Sequence, residues 1–276
     1  NKNPYCQPYE FKWIENIGSQ LIRKVTYLID GRPIQEYSGH YLYCKSQRDL
    51  SSTQREHFNQ MTGNIPELND PANFSNNGGN YPNASYGGLT NADWIDGVRP
   101  SIYSRQLFIP LYLWETFSSF RAIPLLALYY SKLEVHIECR PLSELFVVRD
   151  IDNPNLNDFN RTPYTSANQN LNRFQLYRFL QPPPKKLLNG NSDDNYPQTV
   201  NNWNSNVHML ATYAFLDNDE VRVFTAKPQQ YLIKEFRQYT FHELIGSNNI
   251  EIETNGLVSN FMFFFQRNDI MSRNEW

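Results

Sequence analysis

The chain has 276 residues, with 25 basic residues against 28 acidic ones and a net charge of −3. That balance lacks the basic stripe of a nucleic-acid surface, no run of 18 apolar residues reads as a membrane span, and three cysteines at wide spacing make neither a disulfide framework nor a zinc ribbon. Aromatic residues at 15%, together with 12 Gly, 17 Pro and frequent Asn, predict an all-β protein of aromatic-rich strands joined by turn-forming loops.

Four apolar blocks stand out in chain order: Leu21 to Leu42, Arg105 to Glu138, Tyr213 to Phe236 and Leu257 to Asp269. A helix-like stretch at Trp13 to Leu21 precedes a strand at Arg23 to Asp30. In that strand Val25, Tyr27 and Ile29 share one face, the period of two expected of a half-buried sheet. Asp30-Gly31 predicts a turn, and Gln35 to Tyr43 a returning strand. From Lys45 to Pro100 Asn, Gly, Ser and Pro dominate. Three readings fit: a surface excursion between strands, short unrecognised elements, or disorder; the excursion is preferred because the glycine clusters there favour exposed turns.

Leu107 to Trp114 is apolar on both faces and is expected to lie deep, with Pro110 marking an edge, bulge or break. Pro124 to Tyr130 is a second apolar run. Leu133 to Glu138 alternates cleanly, with Leu133, Val135, Ile137 and Cys139 predicted inward and Glu134, His136, Glu138 and Arg140 outward. Cys139 is expected to act as a small apolar residue. Residues 141–206 read as loop with one strand at Phe174 to Leu180, and Val207 to Leu216 reads as a strong strand. Asp217 to Glu220 places acids at a helix start, and Pro228 is expected to close that helix. Tyr231 to Phe236 and Leu257 to Gln266 then restart sheet structure, so a boundary is placed near residues 217–229.

Signals for chemistry are absent. The five histidines, His40, His57, His136, His208 and His242, have no metal-ligand spacing. No nucleophile elbow, phosphate loop or dinucleotide fingerprint occurs. Asp217-x-Asp219 resembles the start of a calcium loop but lacks its Gly and its bidentate Glu, so a helix cap is the better reading. Asp93 and Asp96 sit in a turn-rich loop rather than as a paired-carboxylate site. No catalytic, cofactor-binding or metal residue is assigned. Asn73, Asn83 and Asn160 stand in glycosylation sequons, but no signal peptide is visible and host-type glycosylation is not expected. The thiols imply folding in a reducing compartment. The chain opens on Asn1 and stops at Trp276 soon after an apolar strand, so both ends read as cut.

The order and spacing of the blocks resemble the major capsid proteins of nucleocytoplasmic large DNA viruses, of iridovirus, phycodnavirus and mimivirus type. The resemblance rests on Ile17-Gly18, Val25 to Gly31, Gly39 and Tyr41-Leu42; on Ile109-Pro110-Leu111, Trp114 and Pro124 to Leu128; and on Phe263 to Asp269 followed by Arg273 to Trp276. Its most specific part is the junction Leu216-Asp217-Asn218-Asp219-Glu220-Val221-Arg222, since a generic β-sandwich does not need Asp217, Asp219, Glu220 and Arg222 in that order. Departures are Asp30-Gly31 for a Gly-Gly turn, Tyr41 for Trp, and Gln229-Gln230 where a His is usual.

The resemblance implies a double jelly roll, two tandem antiparallel β-sandwiches. Residues 1–217 would hold a nearly complete first jelly roll without its opening strands and with the long loop 45–100. Residues 218–228 would form a short helical connection, and 229–276 only begin the second jelly roll. Two incomplete sandwiches expose unpaired edges, so residues 1–276 alone are expected to fold poorly. The implied function is structural and non-enzymatic, without cofactor: a homotrimer forming a pseudo-hexagonal capsomer of an icosahedral shell. Its implied partners are itself, neighbouring capsomers and minor capsid proteins, with no direct nucleic acid, and an internal membrane can lie beneath the shell. The implied location is the virion capsid, assembled in host cytoplasm, and loop 45–100 is the expected tower or trimer contact. The rival readings are a minor capsid paralogue and a carbohydrate-binding or hydrolytic β-sandwich.

Overall fold

The computed structural model describes residues 9–71, 102, 104–117, 122–150, 162–163, 175–181, 198–199, 205–254, 256–268, 270 and 274. Two three-stranded antiparallel sheets form the framework, and neither closes into a barrel, consistent with the all-β class. Strands β1 (Tyr9–Trp13), β2 (Ile22–Ile29), β3 (Arg32–Tyr37), β4 (Leu133–Cys139), β5 (Phe146–Asp150) and β6 (Thr162–Pro163) arrange as β1-β5-β6 and β3-β2-β4. Helices α1 (Ile17–Leu21), α2 (Gly39–Asp49), α3 (Ser52–Thr62) and α4 (Pro66–Asn69) occupy the connections.

Strand β2 follows its alternation. Val25 and Tyr27 are buried, and Ile29 and Val135 of β4 pack against the same cluster. The turn at Asp30 and Gly31 has φ of 51° and 73°, the left-handed pair that suits the twist of a two-residue hairpin. The Asp30 carboxylate also accepts from the Lys132 amide at 2.8 Å, joining the hairpin tip to the start of β4. A hydrogen bond from Ser131 first, and then this one, hold the Asp30 carboxyl below its ordinary range.

Each sheet has its own core. Phe11, Trp13, Phe146 and Phe179 build one, with Phe11 and Phe146 stacked at 5.3 Å between centroids. Val25, Tyr27, Tyr37, Leu42 and Trp114 build the other. Such aromatic pairs add about 0.5–1.5 kcal/mol beyond their burial.

Helix α1 links the two cores. The Asn16 amide donates to Asn64 Oδ1 at 3.1 Å, tying its start to the turn after α3. That helix carries a capping box between Ser51 and Gln54 and ends at Gly63 with φ 78°.

Several expectations are corrected. The return strand ends at Tyr37 rather than running to Tyr43, because the chain turns into α2 at Gly39. A Cβ on Gly39 would lie 2.0 Å from the Ser19 carbonyl oxygen, so only glycine permits this crossing. Trp13 ends a strand, and the expected helix is confined to Ile17–Leu21. The stretch 45–100 is not a simple excursion: it carries the end of α2 and all of α3 and α4, and residues 72–100 lie outside the described residues. A short helix α5 (Tyr177–Leu180) stands where a strand was expected, with Phe179 buried in the first core.

The apolar run at 124–130 is a 3-10 turn (Leu125–Leu128), and Leu107 to Leu113 forms no ladder, though Leu113 and Trp114 are buried. Strand β4 alternates in sequence but not in burial: Leu133 and Ile137 are exposed, as is Cys139. Residues 207–216, 231–236 and 257–266 are extended without ladder partners among the described residues.

Candidate assembly surface

The junction begins with helix α6 (Asn218–Thr225). Asp217 Oδ1 accepts from the amides of Asp219 at 3.0 Å and Glu220 at 2.8 Å. Glu220 Oε2 accepts in return from the Asp217 amide at 3.0 Å, completing a reciprocal cap. The acids Asp219 and Glu220 also lie at the positive end of the helix dipole. Arg222 faces Asp219 at 3.7 Å, and both side chains are more than four-fifths exposed, so this pair adds little stability. The four motif residues therefore start a helix; they do not converge on a ligand. The helix ends at Thr225, before Pro228.

Past this helix the chain returns to the second core. Phe236 lies 3.8 Å from the Tyr41 ring and Tyr231 lies 5.6 Å from the Trp114 ring, centroid to centroid. Ser38 Oγ donates to Gln238 Oε1 at 2.6 Å, and Phe264 lies 5.1 Å from the His40 ring. Burial pushes the His40 imidazole below its ordinary value, with the Arg140 charge adding to that effect. On α2, Asp49 accepts from Arg48 and from Lys45, whose ammonium also lies 5.3 Å from the Tyr112 ring centre. The Arg48 hydrogen bond first, then Lys45, holds the Asp49 carboxyl well below the usual carboxylate range. Sequence reading missed the Tyr41–Phe236, Trp114–Tyr231, Ser38–Gln238 and His40–Phe264 contacts because each joins residues far apart in the chain.

Met262 also packs against the second core, while many other apolar side chains of these segments are exposed. Phe215, Leu232, Leu257 and Phe265 are each at least 85% exposed. Apolar residues at such density on extended backbone mark a surface made to be covered.

No group of three metal-binding side chains occurs among the described residues. A cavity of about 70 Å³ beside Trp13 and Arg105 is smaller than the roughly 300 Å³ typical of organic-ligand sites, and a shallow, open groove of about 310 Å³ runs along α3 past Arg55, Glu56 and Asn59. No described helix is long and apolar enough to cross a membrane. Asn73, Asn83 and Asn160, and the acids Asp93 and Asp96, lie outside the described residues.

Two antiparallel sheets, a capped junction helix and extended segments with exposed apolar side chains make up the described chain. The chain belongs to the major capsid protein family, whose N-terminal region matches residues 2–217. It is similar to the major capsid protein of Phaeocystis pouchetii virus, 26% identical over 251 residues that cover 88% of this chain and 39% of the relative. The major capsid protein of Chrysochromulina ericina virus is also 26% identical over 251 residues, covering 88% and 36%. Capsid protein 1 of Acanthamoeba polyphaga mimivirus is 24% identical over 240 residues, covering 87% and 30%. The chain thus spans less than two-fifths of the length of these curated relatives.

Proposed function

We propose that this chain is part of a structural capsid subunit of a large double-stranded DNA virus, located in the virion shell and assembled in host cytoplasm. It is the N-terminal jelly roll and the opening of the second in a double jelly roll, with the boundary across the helix that Asp217 caps. Three copies form a pseudo-hexagonal capsomer, which abuts neighbouring capsomers and minor capsid proteins. The subunit has no enzymatic role and binds no nucleic acid directly.

The observation that carries this reading is the match of residues 2–217 to the N-terminal region of the major capsid protein family. Obligate interfaces bury roughly 2,000–5,000 Å² and are apolar at the centre. Native mass spectrometry of the whole protein, with negative-stain images, tests it. Trimers with a hexagonal outline are expected; a stable monomer rejects the capsomer reading.

A further inference from the structure

We propose that β4 is a self-complementary edge, and that two copies of this protein join antiparallel through it with Val135 on the two-fold axis. This goes beyond the capsomer reading, because a three-fold trimer does not require a two-fold contact. Strand β4 ends the sheet order β3-β2-β4, so its second side has no strand partner among the described residues. An open edge offers a row of backbone donors and acceptors to another strand.

The backbone fixes which residues point out. The Asp30 amide donates at 2.9 Å to the carbonyl of Lys132, which lies directly opposite. With a period of two, Glu134, His136 and Glu138 turn their backbone groups toward β2, while Leu133, Val135 and Ile137 turn theirs to the open side.

The side chains then select a register. Pairing centred on Val135 sets Lys132 opposite Glu138, Glu134 opposite His136 and Leu133 opposite Ile137 of the second copy, each twice by symmetry. Lys132 meets the opposite charge of Glu138 and Glu134 meets the His136 ring on one face of the joined sheet, and the two exposed aliphatic residues cover each other on the other. Registers centred on Glu134 or His136 oppose Glu to Glu. A register centred on Ile137 needs Arg140 at the edge, but that side chain is only 8% exposed and paired with Glu144.

Within one copy Glu134 already faces Lys132 and His136, and Glu138 faces Arg23 at 3.4 Å. Lys132, His136, Glu138 and Arg23 remain more than half exposed, so they are free to meet partners across the edge. An edge blunted only for solubility has no need of charge order that matches its own reversal.

The test is oxidative cross-linking of the whole protein with every native cysteine, Cys6, Cys44 and Cys139 among them, replaced by Ser. Val135→Cys is expected to give a disulfide-linked dimer, since opposed Cα atoms in this register lie about 5.5 Å apart, within disulfide reach. Lys132→Cys is expected to stay uncross-linked, its two copies being roughly 20 Å apart. Adding Glu134→Lys should lower the Val135→Cys yield by about fivefold, and adding His136→Glu as well should restore it. Absence of the Val135→Cys dimer in protein with an unchanged circular dichroism spectrum overturns the proposal, as does equal cross-linking of Lys132→Cys. Trimers without this cross-link reject the edge pairing and leave the capsomer reading standing; cross-linked dimers without trimers do the reverse.

Discussion

Asn274 Nδ2 donates to the backbone carbonyls of Ser143 at 2.7 Å and Phe146 at 3.0 Å, tying residue 274 to the first residue of β5. Asn274 is buried and has φ 51°, a left-handed conformation that Asn tolerates better than most residues. Asn274→Gly removes the side-chain bonds and keeps the backbone relaxed, and should cost about 1–3 kcal/mol. Asn274→Ala adds left-handed strain of roughly 1–2 kcal/mol. Urea unfolding of the two variants separates these contributions.

The Asp217 cap is a local device with a measurable size. Asp217→Ala should destabilise α6 by about 1 kcal/mol, while Asp217→Asn should lose only a fraction of that. Amide hydrogen exchange of residues 219–225 reads the effect directly. Equal protection in the alanine variant and the parent contradicts it.

Gly39 is irreplaceable for space, and Gly31 only for conformation. Gly39→Ala drives a Cβ to 2.0 Å from Ser19 O and 2.4 Å from Ile22 O, with backbone on both sides. It should cost about 3 kcal/mol or more, the upper end of overpacking. Gly31→Ala meets nothing within 4 Å and should cost only the left-handed penalty of about 1–2 kcal/mol. Thermal melts of the two proteins give the ranking.

Glu115 predicts a pH response. Burial, the largest influence, raises its carboxyl above the ordinary range, against the opposing effect of its own backbone amide and of the Tyr27 hydroxyl. An acid with a raised folded pKa binds its proton more tightly when folded, so its contribution is present below the unfolded pKa. That contribution is lost as pH rises through the folded pKa. Glu115→Gln should therefore raise the melting temperature at pH 7 and leave it nearly unchanged at pH 3.5. A gain of equal size at both values contradicts the assignment.

Local pattern carried the sequence reading where neighbours in space are also neighbours in sequence. The β2 alternation, the Asp30-Gly31 turn and the Asp217 cap each lie within a few residues, and all three are legible. The turn of the chain into α2 is not, because the contact that forces it is Gly39 against the carbonyls of Ser19 and Ile22. The helix α5 was missed because four residues cannot display a helical period. The apolar character of residues 207–216 and 257–266 was legible, but the identity of their covering surface was not. Periodicity shows which face is apolar, not what meets it. The cross-edge match within β4 is written in seven consecutive residues, yet it appears only once the strand is known to lie at an edge.

The pairing of β1 with β5 sets a clock on synthesis. Tyr9 lies opposite Asp150, and β2 meets β4 from Ile22↔Cys139 to Ile29↔Leu133. At ribosomal speeds of about 5–20 residues per second, β1 waits roughly 7–28 s for its neighbour to be made. Throughout that interval Phe11 and Trp13 have no β5 to cover them, and every nascent chain on the same message presents the same bare strand. The yield of native protein should then depend on how widely ribosomes are spaced along the message.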